Sequence, residues 1–273
     1  MAFGFVTTTA TLLSIEESHQ IPEQEEIRST DNINKSLDMK HKKAISLSKE
    51  SALKVISISE MLGGISTSSG TYFQFNGGFY ALTVAHGIVG SCENTAVIAN
   101  ELLYKCERIV ELNSLVDYAI IKIPEIKEKK PIRIPDQLPK GHQWKESFST
   151  MKSVYYTGYP NAIGPLTLQG NVAGYNENDF LYLQSYAWSG SSGAGIFTEN
   201  GKLVAYVLAL TIGRTEYGYN VSEGIVIAAP VFKVNWASIL EQENENEKEK
   251  RPPTESKLPD SADSDSGFGY SNQ

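Results

Sequence analysis

The run Tyr72-Phe73-Gln74-Phe75-Asn76-Gly77-Gly78-Phe79-Tyr80-Ala81-Leu82 constrains this chain more than any other stretch. Asn-Gly reaches the positive φ of a two-residue turn at little steric cost. Placed between two aromatic runs, it predicts an antiparallel hairpin. Period two recurs on both sides of it. Val55, Ser57 and Ser59 alternate with Ile56 and Ile58. Further strand-like runs are Thr95–Ala99, Glu107–Leu112, Tyr118–Ile123, Val154–Thr157, Leu166–Ala173, Phe180–Gln184, Leu203–Thr211 and Gly224–Ala228. Turn residues such as Asn113, Pro124, Gly158, Asn176 and Gly213 separate them. Many short strands with regular turns predict an all-β sandwich or barrel. Only Val231–Leu240, behind Pro230, has helical spacing.

Charge divides the chain. Of a net −8 over 273 residues, positions 1–43 carry −2 and positions 241–273 carry −5, so positions 44–240 are nearly neutral. The reading is therefore an ordered unit over 44–240 between polar, weakly ordered tails at 1–43 and 241–273. The tails offer little apolar surface to offset ordering entropy. Phe268 and Tyr270 leave the second tail a possible role in docking a protein partner. The stretch 125–153, with its prolines and lysines, reads as a linker between two lobes at about 44–124 and 150–230. An acidic chain without clustered Lys and Arg argues against nucleic acid or an anionic membrane as partner. No run of about 18 apolar residues predicts a membrane-spanning helix. Met1–Leu13 lacks the basic start of a secretion signal. Cys92 and Cys106 could pair, but without such a signal they are expected to stay reduced, which points to the cytoplasm. His19, His41, His86 and His142 show no metal-ligand spacing, so no metal or cofactor is expected.

Three local patterns could do chemistry. Leu82-Thr83-Val84-Ala85-His86-Gly87 ends an apolar strand on a histidine. Asp117 opens the strand Tyr118-Ala119-Ile120-Ile121. Trp188-Ser189-Gly190-Ser191-Ser192-Gly193-Ala194-Gly195-Ile196-Phe197 places serine in a glycine-rich turn before a strand. Each is ordinary alone. In the order His, Asp, Ser they match one of the known chain orders of a catalytic triad. A serine hydroxyl needs a base to remove its proton. An imidazole titrating near 6.5 suits that role, and a carboxylate holds its tautomer. The N–H groups of Gly190 and Ser192 form the natural oxyanion pair, and a Cβ at Gly190 would hinder the turn that aims them.

On these residues the chain resembles the trypsin-like, chymotrypsin-fold serine proteases over about residues 50–240. Thr83-Val84-Ala85-His86, Asp117-Tyr118-Ala119-Ile120-Ile121 and Gly190-Ser191-Ser192-Gly193 carry the resemblance. Gly158-Tyr159-Pro160, Gly201-Lys202-Leu203-Val204-Ala205 and Glu223–Pro230 support it. The resemblance implies two six-stranded antiparallel β-barrel lobes with a short C-terminal helix. It implies a serine endopeptidase with catalytic His86, Asp117 and Ser192, acting through an acyl-enzyme on a polypeptide substrate. The spacings, 31 and 75 residues, suit a compact bacterial or viral member. Ser191 stands where zymogen-type members carry an aspartate, which points to an intracellular or polyprotein-processing enzyme. Ala194 and Gly195 replace the usual Gly and Pro.

Ser189-Gly190 is a second Ser-Gly pair and keeps Ser189 as an alternative nucleophile. Tyr186 falls at the expected floor of the acyl-side pocket and Leu208-Ala209-Leu210 along its wall. That predicts an uncharged residue before the scissile bond. The rival reading, which the Ala194-Gly195 departure permits, is an inactive protease fold that binds peptides.

Overall fold

The computed structural model describes residues 41–61, 63–134, 138, 140–147, 149–215 and 218–240. The readings for 1–40 and for the acidic stretch 241–273 lie outside them.

The first element is an α-helix over 41–51 (α1), which the strand periodicity does not anticipate. Ala44, Ser48 and Ser51 are buried at helical spacing. The buried face is built from small residues, so it leaves no apolar stripe to read. Ser48 Oγ meets Thr157 Oγ1 at 2.6 Å, and Ala44 joins the core between the lobes.

The first lobe contains β1 (Ala52–Ile58), β2 (Ile65–Phe75), β3 (Gly78–Thr83), β4 (Thr95–Ala99), β5 (Leu102–Lys105), β6 (Arg108–Asn113) and β7 (Tyr118–Lys122). The predicted hairpin forms: β2 pairs β3 with Phe75 opposite Gly78, and Asn76 and Gly77 take φ of 45° and 81°. The strand order is β5-β4-β1-β2-β3-β7-β6.

The two outer strands are consecutive in the chain, yet they do not close the sheet. Cys106 donates its N–H to Thr95 and Glu107 donates to Lys122. Each residue of the β5–β6 connection therefore turns inward to its own neighbour. The expected six-stranded barrel is instead an open, seven-stranded half-barrel. Cys92 and Cys106, before β4 and after β5, are joined in a disulfide that staples the open end of the β4–β5 hairpin, with Cα atoms 5.3 Å apart, which corrects the expectation of reduced thiols.

The stretch read as a linker is more than a tether. Ile132–Arg133 (β8) adds to β2 in parallel. The helix Gly141–Ser147 (α2) seats Trp144 against Tyr175 and Phe232 in the second lobe.

That lobe is the predicted closed barrel. It comprises β9 (Ser153–Gly158), β10 (Leu166–Tyr175), β11 (Leu181–Gln184), β12 (Gly195–Thr198), β13 (Leu203–Thr215) and β14 (Gly218–Pro230), in the order β10-β11-β14-β13-β12-β9. β13 and β14 run beyond the sequence expectation, as a hairpin out to Thr215 and Gly218. The expected helix over Val231–Leu240 is broken. Val231–Lys233 forms a 3-10 turn, Val234 is extended, and only 237–240 is α-helical (α3). Asn235, between the two pieces, gives its N–H to Tyr118 Oη instead of to a helix.

The strands bury both faces. Tyr72 enters the core of the first lobe while Phe73 enters the core between lobes. Tyr156 fills the barrel while Tyr155 faces out to the first lobe. Period two thus places alternate residues in two different cores. The shared cluster, including Phe73, Tyr80, Tyr118, Phe197 and Tyr206, holds the lobes together. No helix among the described residues is long and apolar enough to cross a membrane.

Candidate active site

β3 and β7 are antiparallel neighbours, with Thr83 opposite Ala119. His86 lies three residues past Thr83, and Asp117 lies two before Ala119. Both therefore emerge from the same end of the sheet, and a separation of 31 residues closes to a contact. His86 occupies the 3-10 turn Ala85–Gly87. Asp117 follows a tight turn in which Asn113 Oδ1 accepts the N–H groups of Leu115 and Val116, both at 3.0 Å. Its φ is 61°, a left-handed conformation that Asp tolerates better than most residues.

The pair meets at two points. His86 Nδ1 lies 2.6 Å from Asp117 Oδ2, and the His86 backbone N–H donates to Asp117 Oδ1 at 2.9 Å. The hydrogen bond that the His86 ring donates to Asp117 raises the imidazole pKa above 6.5, desolvation opposes it, and the carboxylate charge adds to the rise. For Asp117 desolvation pushes upward, but hydrogen bonds from the His86 ring and backbone outweigh it and hold the carboxyl below 3.8. The side chain of His86 is 53 % exposed and that of Asp117 28 %, so the imidazole edge is open to a substrate. With Nδ1 held, the other ring nitrogen is left to exchange protons.

Tyr206 supports this arrangement from the second lobe. It is fully buried, and its hydroxyl donates to the carbonyl of Val116 at 3.1 Å. Burial and then the Asp117 charge push its phenol far above 10, so it remains a donor.

The serine-bearing turn is fixed by hydrogen bonds on nearly every residue. Ser191 donates its N–H to the Trp188 carbonyl, and the Trp188 N–H donates to Ser191 Oγ. Gly193 donates to Val207 and Ala194 to Ser191. Among the described residues, no acceptor takes the N–H of Gly190 or of Ser192. These are the two groups expected to form the oxyanion pair. Gly190 has φ of 94°, and a Cβ there would lie 2.6 Å from the Tyr159 carbonyl. Both the backbone conformation and the close approach require glycine.

The turn is docked onto the first lobe through residues that the sequence reading missed. Ser69 donates its N–H to the Ser192 carbonyl at 2.8 Å and its hydroxyl to the Gly190 carbonyl at 2.7 Å. Thr83 Oγ1 donates to the Ser69 carbonyl at 2.6 Å, and Ser68 Oγ lies 3.1 Å from Thr83 Oγ1. Gly193 sits so close that a Cβ would come within 2.0 Å of the Ser69 carbonyl. This hydroxyl cluster joins half-buried Ser192 to β3, the strand that leads into the His86 turn. Its sequence signal was Ser66-Thr67-Ser68-Ser69, polar residues in a strand that also buries aromatics.

The remaining expected residues are spread. Ser189 is exposed, and its carbonyl accepts the Asn161 N–H at 2.6 Å. Tyr186 is exposed and stacks on Trp188, with ring centroids 6.3 Å apart. Tyr156 Oη donates to the Tyr186 carbonyl and also meets Ser185 Oγ, which anchors the segment. Leu208 points into the core between lobes. Ala209 and Leu210 continue the backbone of β13, and their side chains lie outside the description.

The trypsin-like peptidase domain family matches residues 68–205. Among solved structures, the chain is similar to the Rv3671c protease from M. tuberculosis in its active form, at 16% identity and TM-score 0.54, covering 72% of this chain and 83% of that one. It is similar to the serine endoprotease from Yersinia pestis, at 20% identity and TM-score 0.53, covering 76% and 65%. The HtrA-type protease AlgW with tripeptide aligns at 17% identity and TM-score 0.55, covering 77% and 64%. The chain thus spans slightly less than two thirds of the latter two. These identities speak for the fold alone. No curated protein sequence matches. With half of its length matched from Ser68 in β2 to Ala205 in β13, the chain belongs to the trypsin-like peptidase family.

Proposed function

We propose that this serine protease is an endopeptidase in which Ser192 is the nucleophile, His86 the general base and Asp117 its orienting acid. The observation that carries the reading is the two-point His86–Asp117 contact together with a turn whose Gly190 and Ser192 N–H groups find no acceptor among the described residues.

In the reaction, neutral His86 takes the proton of Ser192 Oγ as that oxygen attacks the scissile carbonyl carbon. The carbonyl oxygen becomes an oxyanion and draws hydrogen bonds from Gly190 and Ser192. The C–N bond then breaks, and His86 returns the proton to the leaving amine. Water repeats the sequence on the acyl-enzyme and frees the carboxylate product. Asp117 stays ionised throughout and stabilises the imidazolium. Its depressed pKa suits that role.

Ser192→Ala should abolish cleavage of an unfolded protein substrate while leaving the thermal transition in place. Cleavage that survives there and is lost in Ser189→Ala would move the nucleophile. The peptide-binding alternative predicts no cleavage by the native chain at all. The Tyr186–Trp188 stack supports an uncharged acyl-side residue, because it offers aromatic surface without a charge.

The compartment turns on Cys92 and Cys106. An intact bridge in protein isolated from its own host would favour an oxidising compartment. Two free thiols would favour the cytoplasmic, polyprotein-processing setting.

A further inference from the structure

A two-chambered groove opens at the end of α3. One chamber, of about 460 Å³, is walled by Phe75, Leu138, Phe232, Val234 and Trp236. The other, of about 490 Å³, is walled by Phe75, Ile134 and the Asn76-Gly77 turn. Leu240 borders both and is 40% exposed. The groove is no part of the proposed active site. The Asn76-Gly77 turn leads into β3, and His86 follows the other end of that strand, a strand length of about 20 Å away.

Its walls are held in place. Trp236 Nε1 donates to the Val231 carbonyl at 2.9 Å, and the indole meets the Phe73 ring edge-on with centroids 5.3 Å apart. Phe75, Leu138 and Trp236 pack against the core between the lobes while each is only partly buried. Anchored aromatic and aliphatic side chains around a surface cavity mark a binding surface more than a packing need.

The charge of the groove has one sign. Lys140 lines the first chamber and Arg133 the second, and no described Asp or Glu lines either. Lys130 and Lys145, near them in the chain, are paired with Glu50 and Asp179. Arg133 and Lys140 have no ion-pair partner among the described residues.

The chain beyond Leu240 supplies both complements. Positions 241–273 carry nine acids and four bases, and their only aromatic residues are Phe268 and Tyr270. Asp260, Asp263 and Asp265 stand just before these two, with no base after Lys257. In an extended chain positions 268 and 270 share a face, so both rings meet one surface together. Between Leu240 and Phe268 lie 27 residues, and a tether of that kind keeps its end at an effective concentration near millimolar. A weak motif is then enough to dock.

We infer that the segment Asp260–Tyr270 docks in this groove of its own chain, with Phe268 and Tyr270 against the Phe75 and Trp236 walls and the aspartates beside Arg133 and Lys140. The aromatic end of the chain is thereby taken up by the two lobes, and a separate protein engages it only by displacing it. The inference does not depend on the roles proposed for His86 and Ser192.

The test is photo-cross-linking in the full chain, with p-benzoylphenylalanine in place of Phe268 and the links mapped by mass spectrometry. Links should join position 268 to Phe75, Leu138 or Trp236 of the same chain, at a yield independent of protein concentration. A large excess of the free peptide 260–273 should compete them away, and the same peptide carrying Phe268→Ser and Tyr270→Ser should not. Arg133→Glu combined with Lys140→Glu, both at exposed positions, should lower the yield about fivefold. The peptide competition decides the matter should that variant fail to fold. Links only between copies, links to the Ser192 turn or scattered over the surface, or no link at all would overturn the inference. So would equal competition by the two peptides, or full yield in the folded charge-reversed chain.

Discussion

The two lobes answer the same problem in opposite ways. The second closes its sheet, so every strand of the barrel has two neighbours. The first leaves β5 and β6 as edges and staples the outer β4–β5 hairpin with Cys92–Cys106. The proposed catalytic groups follow this division. The closed barrel carries the Ser192 turn, whose N–H groups must be aimed to a fraction of an ångström. The open lobe carries His86 and Asp117 at the ends of β3 and β7, which are interior strands of its sheet. Precision is thus kept where pairing is complete on both sides, and the unpaired edges lie on strands that bear none of these groups.

The predictions probe this division. The largest effect is expected inside the open lobe. Asp117→Asn preserves the shape but removes the charge that fixes the imidazole, and turnover of a peptide substrate should fall on the order of 10⁴-fold. A loss below tenfold would mean that Asp117 does not orient His86. The next tests the outer hairpin of that lobe. The bridge spans 14 residues, and a loop of that length is worth about 3 kcal/mol. Cys92→Ser should lower the denaturant midpoint accordingly, and a reductant should do the same to the native chain. An unchanged midpoint would show that the lobe does not depend on its staple.

The contact between lobes comes third. Gly193→Ala sets a methyl group against the Ser69 carbonyl and strains a φ of 91°. It should cost about 2 kcal/mol or more of stability and most of the activity. Full activity in that variant would contradict the docking of the turn on β2.

The smallest effect is in pH. Because the base must be neutral, kcat/KM should rise with pH with a midpoint above 6.5, as the raised His86 pKa requires. Stability runs the other way. A raised histidine pKa contributes stability fully present below 6.5 and lost as pH climbs through the folded value. A lowered aspartate pKa contributes stability present above 3.8 and lost on acidification. The pair therefore contributes most between those limits, while activity peaks above them. Asp117→Asn should bring the activity midpoint back down, read from a kcat/KM titration.

Much of this was legible in the sequence because period two and turn chemistry are local. The Asn76-Gly77 hairpin, the strands of the second barrel, and the chain order of His86, Asp117 and Ser192 all follow from short patterns. What was hidden depends on partners far away in the chain. α1 buries Ala44, Ser48 and Ser51, and small residues carry no hydrophobic signature. Tyr206 acts through Val116, and Ser69 through Gly190 and Ser192, all distant in sequence. The failure of the first lobe to close turns on two backbone N–H groups, at Cys106 and Glu107, which side-chain identity does not direct. The break in the expected final helix arises because Tyr118, over a hundred residues earlier, takes the Asn235 N–H. The cysteine pairing could not be fixed by counting, since the β4–β5 meander is what returns Cys106 to Cys92.

The central claim is that residues of both lobes converge on a serine activated at position 192. The most direct measurement is intact mass after fluorophosphonate treatment, followed by mapping of the modified peptide. The account predicts one adduct, located on Ser192, absent in Ser192→Ala and strongly slowed in His86→Ala. A folded native chain that gains no adduct, or gains one on another serine, would contradict it.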